Sequence, residues 1–140
     1  MKKEDIDKIF LLGRPYFALS SEYSWDWSKE KIRQYLKKKV GFGTVCSEKN
    51  SLTGFALVET DYSSQKPDVA WLTYIMIDRK YRNKSVGTEL LNEVLKKLKK
   101  LGKKELITDI YVKNKASIDF FNDNRFKVEE RWLSMSRKVI

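Results

Sequence analysis

A nearly continuous apolar run, Val69 to Ile77, leads through a loop rich in Arg and Lys into a helix-periodic stretch, Thr88 to Leu101. This succession constrains the fold more than any other feature of the chain. An apolar run of strand length fits a central strand covered on both faces. The periodic stretch places Leu90, Leu91, Val94, Leu95, Leu98 and Leu101 on one helix face, and Gly102 supplies the C-terminal break. Glu105 to Val112 then alternates as a further strand.

The flanking segments complete the pattern. Glu4 to Leu12 carries Ile6, Ile9 and Phe10 at helical spacing, with Gly13 and Pro15 as stop signals. Ser28 suits an N-cap, with Trp27 and Ile32 placed as a hydrophobic staple and Gly41 marking the helix end. Phe42 to Cys46 and Ser51 to Thr60 read as strands joined by the turn-like Glu48-Lys49-Asn50. Residues 61 to 68 form a polar link containing Pro67. Asn114 to Asn124 reads as a short helix, and Phe126 to Val128 and Leu133 to Val139 as two closing strands. The expected order is α-α-β-β-β-α-β-α-β-β, a mixed α/β (α+β) sheet with covering helices. Residues 1–140 are expected to form one domain, as no repeat or flexible linker interrupts them.

Composition narrows the chemistry. The chain has no histidine and one cysteine, Cys46. A histidine base and an internal disulfide are therefore excluded, a structural zinc site has almost no ligands, and a reducing cytoplasm is the expected setting. No apolar run reaches membrane-spanning length. The formal charge of +10 favours polyanions, among them nucleic acid and phosphorylated cofactors. From Arg79 to Lys104 there are ten Lys or Arg residues against Glu89 and Glu93.

The loop Ile77 to Thr88 follows a strand and opens a helix, so its backbone N–H groups converge on one small volume suited to phosphate oxygens. Gly87 permits close approach of an anion, and Arg82 and Lys84 add charge. This segment resembles the acyl-CoA-binding motif of the GNAT (Gcn5-related N-acetyltransferase) superfamily, Arg/Gln-x-x-Gly-x-Gly/Ala. Arg82 stands on its first position, Ser85 on its first Gly and Gly87 on its second. A second stretch, Asn114 to Phe126, is similar to Asn-x-x-Ala-x-x-x-Tyr-x-x-x-Gly-Phe of members related to ribosomal-protein N-terminal acetyltransferases. Here Phe121 replaces the Tyr and Arg125 the Gly. Arg125 is a tolerable replacement where the backbone stays outside the left-handed region. The family's usual first strand is not evident before residue 4.

The resemblance implies a mostly antiparallel sheet whose fourth and fifth strands, Val69 to Ile77 and Glu105 to Val112, splay to hold acetyl-CoA. It assigns cofactor contacts to Ile75, Met76 and Ile77, to Arg82, Asn83, Lys84, Ser85, Val86, Gly87 and Thr88, and to Asn114, Ser117 and Phe121. No metal is expected. Trp71 stands where many members place a catalytic Glu. Asp109 matches the strand-five carboxylate of Leu-Glu-Val-Arg in members like the ribosomal N-terminal acetyltransferases and is the candidate base, since partial burial in this apolar strand would raise its pKa; Tyr111 and Tyr74 are candidate acids. Trp25, Trp27, Glu59 and Trp71 are candidates for the acceptor side. The function implied is direct transfer of an acetyl group from acetyl-CoA to a primary amine of a protein, peptide or small molecule, by a monomer or homodimer. A non-catalytic acyl-CoA-binding regulator and a basic nucleic-acid-associated protein are the alternatives. An absent first strand would leave a sheet edge open to a partner.

Overall fold

Lys49 and Asn50 both take positive φ, 48° and 66°, the backbone of a tight hairpin whose twist suits the strands it joins. They connect β1 (Gly41–Glu48) to β2 (Ser51–Glu59), which pair antiparallel. β3 (Val69–Ile77) adds antiparallel to β2. After α3 (Val86–Lys100), the chain returns as β4 (Glu105–Ile107), parallel to β3, giving the sheet order β1-β2-β3-β4. Two further helices precede the sheet, α1 (Asp5–Phe17) and α2 (Lys29–Gln34), and α4 (Lys115–Asp123) follows it. The computed structural model describes residues 1–17, 27–37, 40–61, 63–131, 133 and 135–139. It divides into two units, Met1–Asp109 and Ile110–Ile140, each taken by itself below. No helix among the described residues is long and apolar enough to cross a membrane.

In the first unit, Ile6 and Ile9 of α1, Ile32 of α2 and Trp27 and Tyr35 pack with Phe55 and Leu57 of β2 and Tyr74 and Met76 of β3. The other sheet face takes α3 through buried Leu90, Leu91, Val94 and Leu98. Register between β2 and β3 is broken at one place: Leu57 pairs with Tyr74, but Val58 pairs with Leu72. Thr73 is thus an extra residue, a bulge that swaps which β3 positions face which layer. Tyr74 and Met76 face α1 and α2, whereas Leu72 joins the α3 side.

Several boundaries differ from the sequence reading. α1 runs through Gly13 and Pro15 instead of stopping there. Gly13 is required for close packing, since a Cβ would run into the Trp27 ring. Pro15 costs only a bond to the carbonyl of Leu11, on an exposed turn. Ser28 does cap α2, its hydroxyl accepting from the Lys31 N–H at 3.1 Å, yet that helix lasts six residues.

β4 stops at Ile107, well short of Val112. In the second unit α4 forms as expected, but the described residues after Asn124 carry no strand. Val128, Leu133, Met135 and Val139 are largely exposed; alternation makes a strand only where a ladder partner is present. Arg125 does take the left-handed conformation, with φ 67°, so the condition under which it would replace glycine without strain is not met. It sits just past the end of α4, where Phe126 N–H donates to the Phe121 carbonyl at 2.9 Å and Arg125 N–H to Asn122 at 3.1 Å. The Phe121 and Phe126 rings meet edge-on, 4.9 Å apart, completing a helix stop normally built on glycine.

Candidate functional site

The β3–β4 ladder holds for three pairs, the last being Trp71 with Ile107. One residue on, the Thr108 hydroxyl donates to the Leu72 carbonyl at 2.9 Å. Beyond that point β3 continues to Ile77 with no β4 partner. The backbone direction of those last residues follows from one hydrogen bond. Asp78 N–H donates to the Thr53 carbonyl at 2.8 Å, so alternation along the antiparallel pair turns the polar groups of Tyr74 and Met76 toward β2. Ile75 and Ile77 point theirs the other way, into the space that β4 leaves. The Arg82 Nε donating to the Ile77 carbonyl at 3.1 Å is the expected result of that outward direction. Of the three residues grouped from sequence, Ile75 and Ile77 present their backbone to this space, and Met76 gives its own to β2.

The chain then turns sharply. Asp78 caps a 3₁₀ turn, Arg79–Tyr81, by accepting from Lys80 N–H at 3.1 Å. Asn83 and Ser85 both occupy the left-handed region, at φ 61° and 63°. Ser85 therefore keeps the conformation for which glycine is best suited. It stands at the N-cap of α3, yet its hydroxyl makes no capping bond. The first amide with a helical partner is Glu89, which donates to the Ser85 carbonyl at 3.0 Å. The N–H groups of Val86, Gly87 and Thr88 are left at the positive end of a fifteen-residue helix. In the same loop Arg82 lies over the Tyr16 ring at 5.5 Å and Lys84 over the Tyr81 ring at 5.8 Å.

A second cluster lies at the other end of β3. Glu59 pairs directly across from Trp71, and the buried Tyr35 donates its phenol O–H to Glu59 Oε1 at 3.2 Å. Burial pushes the Tyr35 pKa well above its ordinary value; the adjacent Thr73 hydroxyl pulls the other way, and the nearby Glu59 carboxylate raises it further. The Thr73 Oγ1 is buried beside this phenol without a hydrogen bond of good geometry. Sequence reading took Tyr35 only as part of an apolar helix face, and it contained no signal for Thr73 or Thr108.

Other expected residues fall elsewhere. Asp109 lies beyond the end of β4 and is exposed, so the burial invoked to make it a base is absent. Trp27 is a core residue, its Nε1 donating to the Phe10 carbonyl at 3.0 Å and its ring stacked on Phe55. Tyr74 is buried against Phe17 and Trp27. Trp25 lies outside the described residues. In the second unit, the Asn114 side chain caps α4 by accepting from Ser117 N–H at 3.2 Å, Tyr111 is half exposed, and Phe121 is buried. Among the described residues no group of acidic or cysteine side chains is arranged to hold a metal.

Residues 10–125, which include the loop, α3 and α4, match the acetyltransferase (GNAT) family. The chain belongs to the GNAT family. An uncharacterized N-acetyltransferase of Methanocaldococcus jannaschii is 24% identical over 145 residues, covering 98% of this chain and 64% of that protein. The chain thus spans less than two thirds of that relative's length. The PaiA N-acetyltransferase of Thermoplasma acidophilum, solved with coenzyme A, has a TM-score of 0.80 at 24% identity, over 94% of this chain and 89% of that one. An aminoglycoside N-acetyltransferase solved with CoA has a TM-score of 0.79 at 17% identity, over 99% and 97%. These similarities agree with a GNAT fold of mostly antiparallel strands flanked by helices.

Proposed function

We propose that this chain is an acetyl-CoA-dependent N-acetyltransferase acting on a primary amine of a protein, peptide or small molecule. The observation that carries this reading is the pair of outward-facing amides at Ile75 and Ile77, leading into the unpartnered first-turn amides of α3. Acetyl-CoA supplies the activated acetyl group, which passes to the amine nitrogen as the carbon–sulfur bond breaks. The chain's residues hold and orient. Ile75 and Ile77 offer N–H donors to the carbonyls of the pantetheine arm and thioester, in the extended register a strand partner would use. Val86, Gly87 and Thr88 offer theirs to the pyrophosphate, and Arg82 and Lys84 add positive potential. Asn83 and Ser85 set the turn that brings these groups together. Asn114, Ser117 and Phe121 remain assigned to the cofactor by motif.

For proton transfer the reading keeps Asp109 and Tyr111, each close in sequence to the end of β4. An exposed carboxylate relays protons through water, and a phenol is a suitable acid for a thiolate. Tyr74 is the alternative acid. The single-cysteine composition supports activity in a reducing cytoplasm.

The test is to incubate purified protein carrying Cys46→Ser with acetyl-CoA and a panel of amines and peptides, following release of free CoA thiol. Saturable turnover on at least one amine is expected. CoA binding with no turnover on any acceptor would instead identify an acyl-CoA-binding regulator, and absence of CoA binding would overturn both.

A further inference from the structure

The turn that carries the phosphate-loop amides has a backbone that needs support. Asn83 and Ser85 both take positive φ without being glycine. Asn tolerates that region better than Ser does, and such residues persist only where their surroundings determine them. Part of the support is internal. Tyr81 N–H donates to the Asp78 carbonyl, Lys80 N–H to the Asp78 side chain, and Lys84 lies over the Tyr81 ring. All of these close within the turn itself. Among the hydrogen bonds, ion pairs and ring contacts of the described residues, only one carries residues 79 to 85 outside the segment 77–89: the Arg82 guanidinium over the Tyr16 ring, at 5.5 Å.

Tyr16 suits the part of a fixed platform. Its neighbour Phe17 meets the Tyr74 ring edge-on at 5.0 Å and the Trp27 ring at 4.9 Å, which pins the last turn of α1 to the core. Tyr16 itself remains 43% exposed, so core packing does not explain its ring. The contact with Arg82 uses the ring face and leaves the phenol hydroxyl out of it. The same guanidinium donates from Nε to the Ile77 carbonyl at 3.1 Å. It thus ties the end of α1 to the last residue of β3, immediately before Asn83. Arginine alone can do this, since its plane stacks while its edge donates; a lysine ammonium is a point charge without that fork.

We propose that Tyr16 is a positioning residue for the cofactor loop: it holds Arg82, and through Arg82 the turn that presents the first amides of α3. This rests on the acetyltransferase reading above. CoA then meets amides already in place, and its affinity is not reduced by the cost of ordering them.

The experiment compares wild type, Tyr16→Phe, Tyr16→Leu, Arg82→Ala and the double variant Tyr16→Leu/Arg82→Ala, each first shown to be folded by circular dichroism. Calorimetry gives the CoA dissociation constant. Hydrogen exchange in the free protein is followed at the Tyr81 and Glu89 amides, which bracket the turn. Tyr16→Leu should weaken CoA binding about threefold, the scale of one exposed cation–π contact, and speed exchange at both amides. Tyr16→Phe keeps the ring and should match wild type in both measurements. Arg82→Ala should weaken binding further, because the charge goes too, and adding Tyr16→Leu to it should change nothing more. Unchanged CoA affinity in Tyr16→Leu, or the same loss from it in the Arg82→Ala background, would overturn the proposal. Weaker binding with unchanged exchange would mean that Tyr16 touches CoA itself, and would sink it equally. If the wild type does not bind CoA, the acetyltransferase reading fails separately and exchange decides the present one. Faster exchange in Tyr16→Leu but not in Tyr16→Phe upholds it; equal rates in all three proteins refute it.

Discussion

The Thr108 hydroxyl meets the Leu72 carbonyl at 2.9 Å, one residue past the last β3–β4 pair. This side-chain bond takes the place of the next ladder bond and fixes where the strands part. Thr108→Val preserves shape but leaves the carbonyl without its donor. It should cost about 1 kcal/mol in urea unfolding and raise the KM for acetyl-CoA, with little effect on the acceptor KM.

Ser85 holds a left-handed backbone at φ 63° directly before α3. Ser85→Gly removes a steric cost of about 1–2 kcal/mol, offset in part by the added freedom of the unfolded chain. A melting temperature equal to or above wild type is expected, with CoA binding retained. Ser85→Val introduces a β-branched side chain at the same φ and should lose at least about 1 kcal/mol together with CoA affinity. Thermal melts and calorimetry with CoA check both.

The raised pKa of Tyr35 gives stability an alkaline limb. The folded protein holds this phenol protonated after the unfolded chain, whose tyrosines titrate near 10, has released its proton. The contribution is therefore fully present below that pH and is lost as pH rises toward the folded-state value. In Tyr35→Phe the decline above pH 10 should be shallower than in wild type, as read from denaturant midpoints at successive pH values.

Cys46 is partly buried, which pushes its thiol pKa up, with Glu89 and Glu93 acting in the same direction. Less thiolate at a given pH means slower attack on electrophiles. Alkylation by iodoacetamide at pH 8 should run more slowly than for free cysteine, and the difference should vanish in urea.

The parts of this site governed by local sequence were legible in advance. The turn into α3, the buried face of Leu90, Leu91, Val94 and Leu98, and Asn114 as the opening of α4 depend on neighbours a few residues away and form as read, whereas Leu95 and Leu101, placed on the same face, are exposed. The errors lie where distant packing decides. Gly13 looks like a helix stop until Trp27 is laid against it. Asp109 looks buried while Glu105 to Val112 is taken as one strand, and becomes exposed once the ladder ends at Ile107. The apolar alternation after Asn124 says nothing about whether a neighbouring strand is present. Tyr35 and Glu59 are 24 positions apart, and neither has a pattern that announces the other.

Thr73 also changes how β3 tolerates mutation. Because it is one residue more than β2 can match, the strand is written in two frames, one for Val69 to Leu72 and another for Tyr74 to Ile77. Removing Thr73 would leave both frames where they are, because Leu72 and Tyr74 already pair with the adjacent Val58 and Leu57; only the extra residue and the local bend it makes would go. A residue lost within either frame, by contrast, would slide that frame against β2 and exchange its inward and outward positions, in the core and the site alike.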